Sequence, residues 1–221
     1  MTIDKLILEF LEYMEIEKGR AIASTRNYHH YLAQFSQFAR QKGIENPEKI
    51  DLELVRQFRL YLNRNSHRGQ PISKNTQNYY LIALRSFLKY LSKKDIQTLP
   101  PEKIELAKTE ERQITFLKEE ELDEILSQPD LKTLAGLRDK AILDLLFSTG
   151  LRVSELCNLK KGDINLKKSE FSISGKGGKI RVVFLDHQAK SSLSRYLSRR
   201  SDHSEYLFLS YGRKKTDSEN L

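Results

Sequence analysis

The feature that most restricts this chain is an apolar stripe that recurs at three- to four-residue intervals in four successive segments of residues 1–98. That interval gathers apolar side chains on one face of an α-helix, and such a face has to be buried against a neighbour. In the first segment Ile3, Leu6, Phe10, Tyr13 and Met14 fall in phase, and Gly19 supplies a stop. Ser24 is placed to cap a second helix carrying Tyr28, Tyr31, Leu32, Phe35 and Phe38. Asp51 is placed to cap a third, with Leu54, Val55, Phe58 and Tyr61 on one face. After the turn-rich stretch "RNSHRGQP", Ser73 is placed to cap a fourth, with Tyr80, Leu84, Phe87 and Leu91 inward. Residues 1–98 are therefore expected to form a small four-helix bundle.

Residues 99–113, "LPPEKIELAKTEERQ", break the pattern: a proline pair, alternating charges and few large apolar residues read as a linker. Residues 114–221 form a second unit of different texture. Two helices are expected in "LKEEELDEIL" and "LAGLRDKAILDLLF", the latter with Leu134, Leu137, Ala141, Ile142, Leu145 and Leu146 in phase and Gly150 as its stop. A short helix "VSELCNL" precedes "EFSISGKGGKIRVVFL", where Phe171 and Ile173 alternate, a glycine-rich turn follows, and Ile180, Val182 and Phe184 alternate again, as in a two-strand hairpin. A further helix through "QAKSSLSRYLSRR" and the apolar run "EYLFLS" follow. The fold class expected is mainly α with a small β-hairpin: a helical bundle, then an α+β unit.

Charge points to the partner. Lys and Arg number 38 against 30 acids, a net charge of +8, and the excess is localised: residues 20–94 hold 14 basic residues and 4 acidic ones. Arg26, Arg56, Arg59, Lys74 and Arg85 in this region are candidate phosphate contacts, although a merely solvated basic face has the same composition. Cys157 is the single cysteine, read as a small buried residue in an apolar helix, and it excludes a disulfide within the chain. The five histidines lack metal-ligand spacing and there is no second cysteine, so a zinc site is not expected. No apolar run approaches the roughly 20 residues that cross a bilayer, and no membrane partner is expected; the reading is of a cytoplasmic protein.

Chemistry centres on "STGLRVSELCNL". Arg152 follows the helix-ending Gly150 by two residues and stands at the start of the next helix, where its forked donors suit a phosphate oxyanion. Glu155, three residues on, can orient it; on spacing alone an ordinary surface ion pair is the commoner arrangement. "SGKGGK" lacks the spacing of a phosphate-binding P-loop and reads as a hairpin turn. Its Lys176 can be solvated, or can reach a nucleic-acid groove or donate a proton to a leaving oxygen.

"STGLRVSELCNLKKGDI" followed by "SGKGGKIRVVFL" resembles the tyrosine recombinases of the phage-integrase class, in particular their Xer-like members, and "STRNYHHYLAQFSQF" with "ISKNTQNYYLIALRSFLKYL" is similar to their SAM-like core-binding domain. The resemblance covers essentially the whole chain. It implies site-specific recombination of double-stranded DNA by a tetramer of recombinase subunits, through a 3′-phosphotyrosyl intermediate and without metal or nucleotide. Arg152 then matches the first catalytic arginine, Glu155 the acid that steadies it, and Lys176 the hairpin lysine proposed as general acid; Lys179 and Arg181 become DNA contacts beside it. The family's His-x-x-Arg box and the nucleophilic tyrosine beyond it are not found, and Tyr196, Tyr206 and Tyr211 precede the place where that box is expected. No nucleophile is therefore assigned, the chain is expected to be an incomplete catalytic unit that is inactive alone, and a catalytically inactive integrase-like DNA-binding protein or regulator is the alternative.

Overall fold

The computed structural model describes residues 1–64, 66–67, 70–109, 115–175 and 178–210. The chain divides into two compact units, Met1–Gln113 and Ile114–Leu221.

The first unit is built from α1 (Ile3–Ile16), α2 (Ile22–Gln41), α3 (Leu52–Arg64) and α4 (Lys74–Lys93), with two antiparallel two-residue strands, β1 (Ser66–His67) and β2 (Gln70–Pro71), between the last two helices. Local chemistry sets most of the helix starts. The Leu54 amide donates to Asp51 Oδ1 at 2.7 Å and the Thr76 amide to Ser73 Oγ at 3.2 Å, which satisfies N-terminal groups that the helices cannot pair themselves. α2 differs from expectation. It starts before Ser24, because the Ala21 carbonyl already accepts from the Ser24 and Thr25 amides at 2.8 and 3.2 Å. The Thr25 hydroxyl donates to the same carbonyl at 3.4 Å.

The inward stripes meet in an aromatic core. Phe35 meets Phe58 edge-on, with ring centroids 5.2 Å apart, and Phe10 lies 5.8 Å from Phe87. The stretch read as linker is partly core. Leu99 and Ile104 are buried in the first unit, the Leu99 amide donates to the Ile50 carbonyl at 3.2 Å, and the Asn78 side chain makes two hydrogen bonds with the backbone of Ala107, at 2.9 and 3.0 Å. Two apolar side chains in a polar stretch leave no periodic signal, yet each has a hydrophobic slot to fill, so the chain stays on the bundle as far as Ala107.

The second unit contains α5 (Glu119–Ser127), α6 (Leu134–Thr149), α7 (Val153–Asn158), β3 (Glu170–Ser174), β4 (Ile180–Phe184) and α8 (His187–Ser198). α6 packs on α8, with Leu137, Ala141, Leu145, Leu193 and Tyr196 in the core. Buried Asp144 ties the two helices together, accepting from Lys140 Nζ at 2.8 Å and from the Ser192 hydroxyl. Gly150 ends α6 in the left-handed region, φ 60°, with its amide on the Leu146 carbonyl at 2.9 Å; a side chain there would be strained.

β3 and β4 are antiparallel, and their register pairs Phe171 with Val183 and Ile173 with Arg181. Phe171, Ile173, Val183 and Leu185 are buried, while Ile180, Val182 and Phe184 are exposed. The buried face of β4 is thus the one opposite to its most apolar alternation, and Arg181 shares it. Cross-strand partners must share a face, so burial of Phe171 and Ile173 carries Val183 and Arg181 inward with them. Cys157, read as buried, is exposed: α7 buries Leu156, and the next residue is rotated about 100° away.

Replacing Ile104 with alanine is expected to destabilise the first unit by about 2–5 kcal/mol in chemical denaturation, whereas the same change at exposed Leu106 should cost under about 0.5 kcal/mol. Equal effects would contradict the docking of this segment.

Candidate functional site

The site forms where the left-handed turn after α6 meets the hairpin. With Gly150 reversing the chain and Leu151 buried, Arg152 becomes the N-cap residue of α7. Glu155 reaches back from the first turn, and its Oε2 accepts from the Arg152 amide at 2.8 Å while Oε1 accepts from Arg152 Nη1 at 3.0 Å. The pair expected from spacing forms, but it is asymmetric: the Arg152 side chain is 64% exposed and that of Glu155 only 8%. A carboxylate so enclosed requires more compensation than one solvated cation gives.

Arg181 supplies it. Its Nη1 donates to Glu155 Oε1 at 2.8 Å and its Nη2 to Oε2 at 2.7 Å, a bidentate fork. Hydrogen bonds from Arg181 and from the Arg152 backbone outweigh the opposing effect of burial and hold the Glu155 carboxyl down to about 2. Gly175, at the end of β3, lies against the fork. A Cβ on this residue would sit 3.1 Å from Arg181 Nη1 and 3.4 Å from Glu155 Oε1. Its amide donates to the Lys179 carbonyl at 2.8 Å, which closes the hairpin turn.

Arg152, Glu155, Ser172 and Ser174 border an open depression of about 710 Å³, with the Asp163 carboxylate on its wall. Asp163 is occupied as the cap of the following turn, accepting from the Lys160 amide at 2.8 Å. Arg152 uses one side-chain N–H on Glu155, and its remaining donors lie on an exposed side chain at this depression. The arrangement suits a tetrahedral anion approaching Arg152 from outside.

The other candidate residues are distributed as follows. Lys176 lies outside the described residues. Lys179 is exposed. Arg181, expected to face DNA, has Glu155 as its partner; pairing Ser174 with Ile180 across the five-residue turn would have placed it opposite Ile173 from sequence. In the first unit Arg56 forks onto Glu53 at 2.6 and 2.7 Å, and Arg59 donates to the Glu105 carbonyl. Arg26, Lys74 and Arg85 make no ion pair among the described residues. Lys74 and Arg85 stand eleven residues apart on α4, three turns and about 16 Å along one face. Tyr196 is fully buried and its hydroxyl accepts from the Leu209 amide at 3.3 Å; Tyr206 pairs through its backbone with Lys160; Tyr211 lies outside the described residues. No group of three or more metal-ligating side chains occurs among the described residues, and none of their helices is long and apolar enough to cross a membrane.

The architecture is that of the integrases. The chain is similar to the Tn1549 transposon integrase, solved in complex with circular intermediate DNA, with a TM-score of 0.67 and 15% identity over 96% of this chain and 72% of that one. It is likewise similar to a lambda integrase from a tetramer bound to a Holliday junction, with a TM-score of 0.70 and 17% identity over 96% of this chain and 60% of the other. At such identities the likeness is one of fold.

Sequence carries the assignment further. The phage integrase family model matches residues 115–221, and the model of the phage integrase N-terminal SAM-like domain matches residues 7–104. The tyrosine recombinase XerC of Bacillus pumilus (strain SAFR-032) is 34% identical over 194 residues, 87% of this chain and 62% of that protein. XerC of Bacillus subtilis (strain 168) is 34% identical over 198 residues, 89% of this chain and 64% of that protein. The chain belongs to the phage integrase family of tyrosine recombinases, and it spans less than two thirds of the length of these curated relatives.

The depressed titration of Glu155 has a pH signature. A carboxylate whose folded-state value lies below its unfolded one stabilises the fold fully above the unfolded value of about 4.5 and loses that contribution as pH falls towards about 2. The stability difference between wild type and Glu155→Gln, read from thermal melts of the chain, should therefore hold level above about pH 4.5 and shrink as pH falls from there towards about 2. Parallel melting curves would contradict the clamp.

Proposed function

We propose that this chain binds double-stranded DNA and forms part of the machinery of a site-specific tyrosine recombinase, in which the whole protein cuts and rejoins DNA through a 3′-phosphotyrosyl intermediate. The observation that carries the reading is the pairing of an exposed, oriented guanidinium with a buried carboxylate, in a chain of this family. Arg152 would neutralise charge on the phosphorane as it forms, a contribution that in enzymes of many kinds is large because the donor is already in place before charge develops. Glu155 would hold that guanidinium in position, and Lys176 would protonate the leaving 5′-oxygen. The circular intermediate DNA bound by the Tn1549 integrase, and the Holliday junction bound by the lambda integrase tetramer, support duplex DNA as the partner and recombinase subunits as companions in the assembly.

The first unit would supply most of the affinity. Its cations greatly outnumber its acids between residues 20 and 94, and Arg26, Lys74 and Arg85 are members of the candidate set that make neither an ion pair nor a side-chain hydrogen bond among the described residues, whereas Arg56 is forked on Glu53 and Arg59 is held by the Glu105 carbonyl. A phosphate contact releases condensed counterions, so its loss weakens binding and flattens the salt dependence together.

In fluorescence-anisotropy titrations of the chain with duplex DNA, alanine at Arg26, Lys74 or Arg85 is expected to lower the salt slope by about 1 each. Alanine at Lys160 or Lys161, which pair with Glu205 at 3.1 Å and Asp202 at 3.9 Å, should change it far less. Equal losses from the two units would overturn the assignment of the first unit as the main contact, and no binding at low salt would overturn the DNA reading itself.

A further inference from the structure

We propose that Arg181 is a positioning residue for Arg152, acting through Glu155, and that it keeps the Arg152 guanidinium available to an incoming phosphodiester. The role rests on the DNA reading above, but the geometry that carries it stands within the second unit.

Glu155 is a saturated acceptor. Each of its oxygens receives two hydrogen bonds: Oε1 from Arg152 Nη1 at 3.0 Å and Arg181 Nη1 at 2.8 Å, and Oε2 from the Arg152 amide at 2.8 Å and Arg181 Nη2 at 2.7 Å. A carboxylate has about four such positions, so nothing further can dock on it. Arg181 holds both oxygens from one side in a planar fork, which fixes the plane of the carboxylate. Arg152 is left with one side-chain bond and cannot form a fork of its own, because the bidentate edge is taken.

Charge makes the same point. Arg152 and Glu155 alone would form a neutral pair, and an exposed arginine beside an enclosed carboxylate would fold onto it and lose its attraction for an anion. With Arg181 the cluster carries one positive charge, and it resides on the member with the exposed side chain. Arg181 has the means to stay in place: Ile173 is its cross-strand partner on the inward face of the hairpin, and Gly175 leaves room for the fork where a side chain would press on it.

The test is a double-mutant cycle on the 221-residue chain with Arg181→Lys, which conserves charge and breaks the fork, and Glu155→Gln, which removes the charge being held. Two quantities are read: the Glu155 carboxyl titration by NMR, and the affinity for duplex DNA. Arg181→Lys should move the Glu155 titration up from about 2 towards the ordinary carboxylate range. It should weaken DNA binding by at least about twofold in the wild-type background and by distinctly less in the Glu155→Gln background, since coupled residues are non-additive. Gly175→Ala, which crowds the fork without changing charge, should shift the Glu155 titration in the same direction.

An unmoved Glu155 titration in both variants would overturn the proposal. So would an equal loss of affinity in the two backgrounds, the outcome expected of an Arg181 that touches DNA directly. If wild type fails to bind duplex DNA, the DNA reading falls while the titration still decides whether Arg181 holds the carboxylate.

Discussion

The second unit is organised around one carboxylate that cannot leave its place. Glu155 is nearly enclosed and accepts four hydrogen bonds, from the backbone and side chain of Arg152 and from both terminal nitrogens of Arg181. Those bonds join three pieces of local structure with separate causes: the left-handed stop at Gly150, the start of α7, and the register of the β3–β4 hairpin. A negative charge buried to this degree persists only when cations and donors surround it, so the sequence must deliver all three pieces together. The result is an arginine whose backbone is anchored, whose side chain is steered by one bond, and whose outer donors lie on an exposed side chain.

The two units differ in the kind of charge they carry, and in the proposed function they would divide the work accordingly. In the first, cations are numerous and, at Arg26, Lys74 and Arg85, spread over helix surfaces, which suits a polyanion held at many points with little geometric demand. In the second, acids and bases nearly balance, and cations such as Lys160, Lys161 and Arg200 are tied to acids at 3.1, 3.9 and 2.6 Å. In the proposed function a single oriented guanidinium would matter more there than total charge, because chemistry at one phosphorus depends on donors placed before the reaction begins.

Much of this was legible in the sequence where the cause is local. Asp51, Ser73 and Gly150 act within a few residues of themselves, and they cap or stop helices where spacing places them. The pairing of Arg152 with Glu155 is likewise an i, i+3 relation. Features set by distant neighbours were not legible. α2 begins before Ser24 because the Ala21 carbonyl already accepts from the Ser24 and Thr25 amides, with no side chain capping the start. Residues 99–107 stay on the bundle because Leu99 and Ile104 find apolar slots and Asn78 pairs with the Ala107 backbone. The inward face of β4 is chosen by its pairing with β3 and not by its own alternation, which hides Val183 and leaves the more apolar Ile180, Val182 and Phe184 outside. Arg181 follows from that register, so its partner was invisible to any reading of β4 alone.

A crystal structure of the chain bound to a short DNA duplex tests the central claim most directly. A backbone phosphate should lie within about 3 Å of an Arg152 guanidinium nitrogen, the usual charge-assisted distance, with Arg181 still forked on Glu155. A duplex whose phosphates all avoid Arg152, or an Arg181 that has left Glu155 to take a phosphate itself, would contradict it.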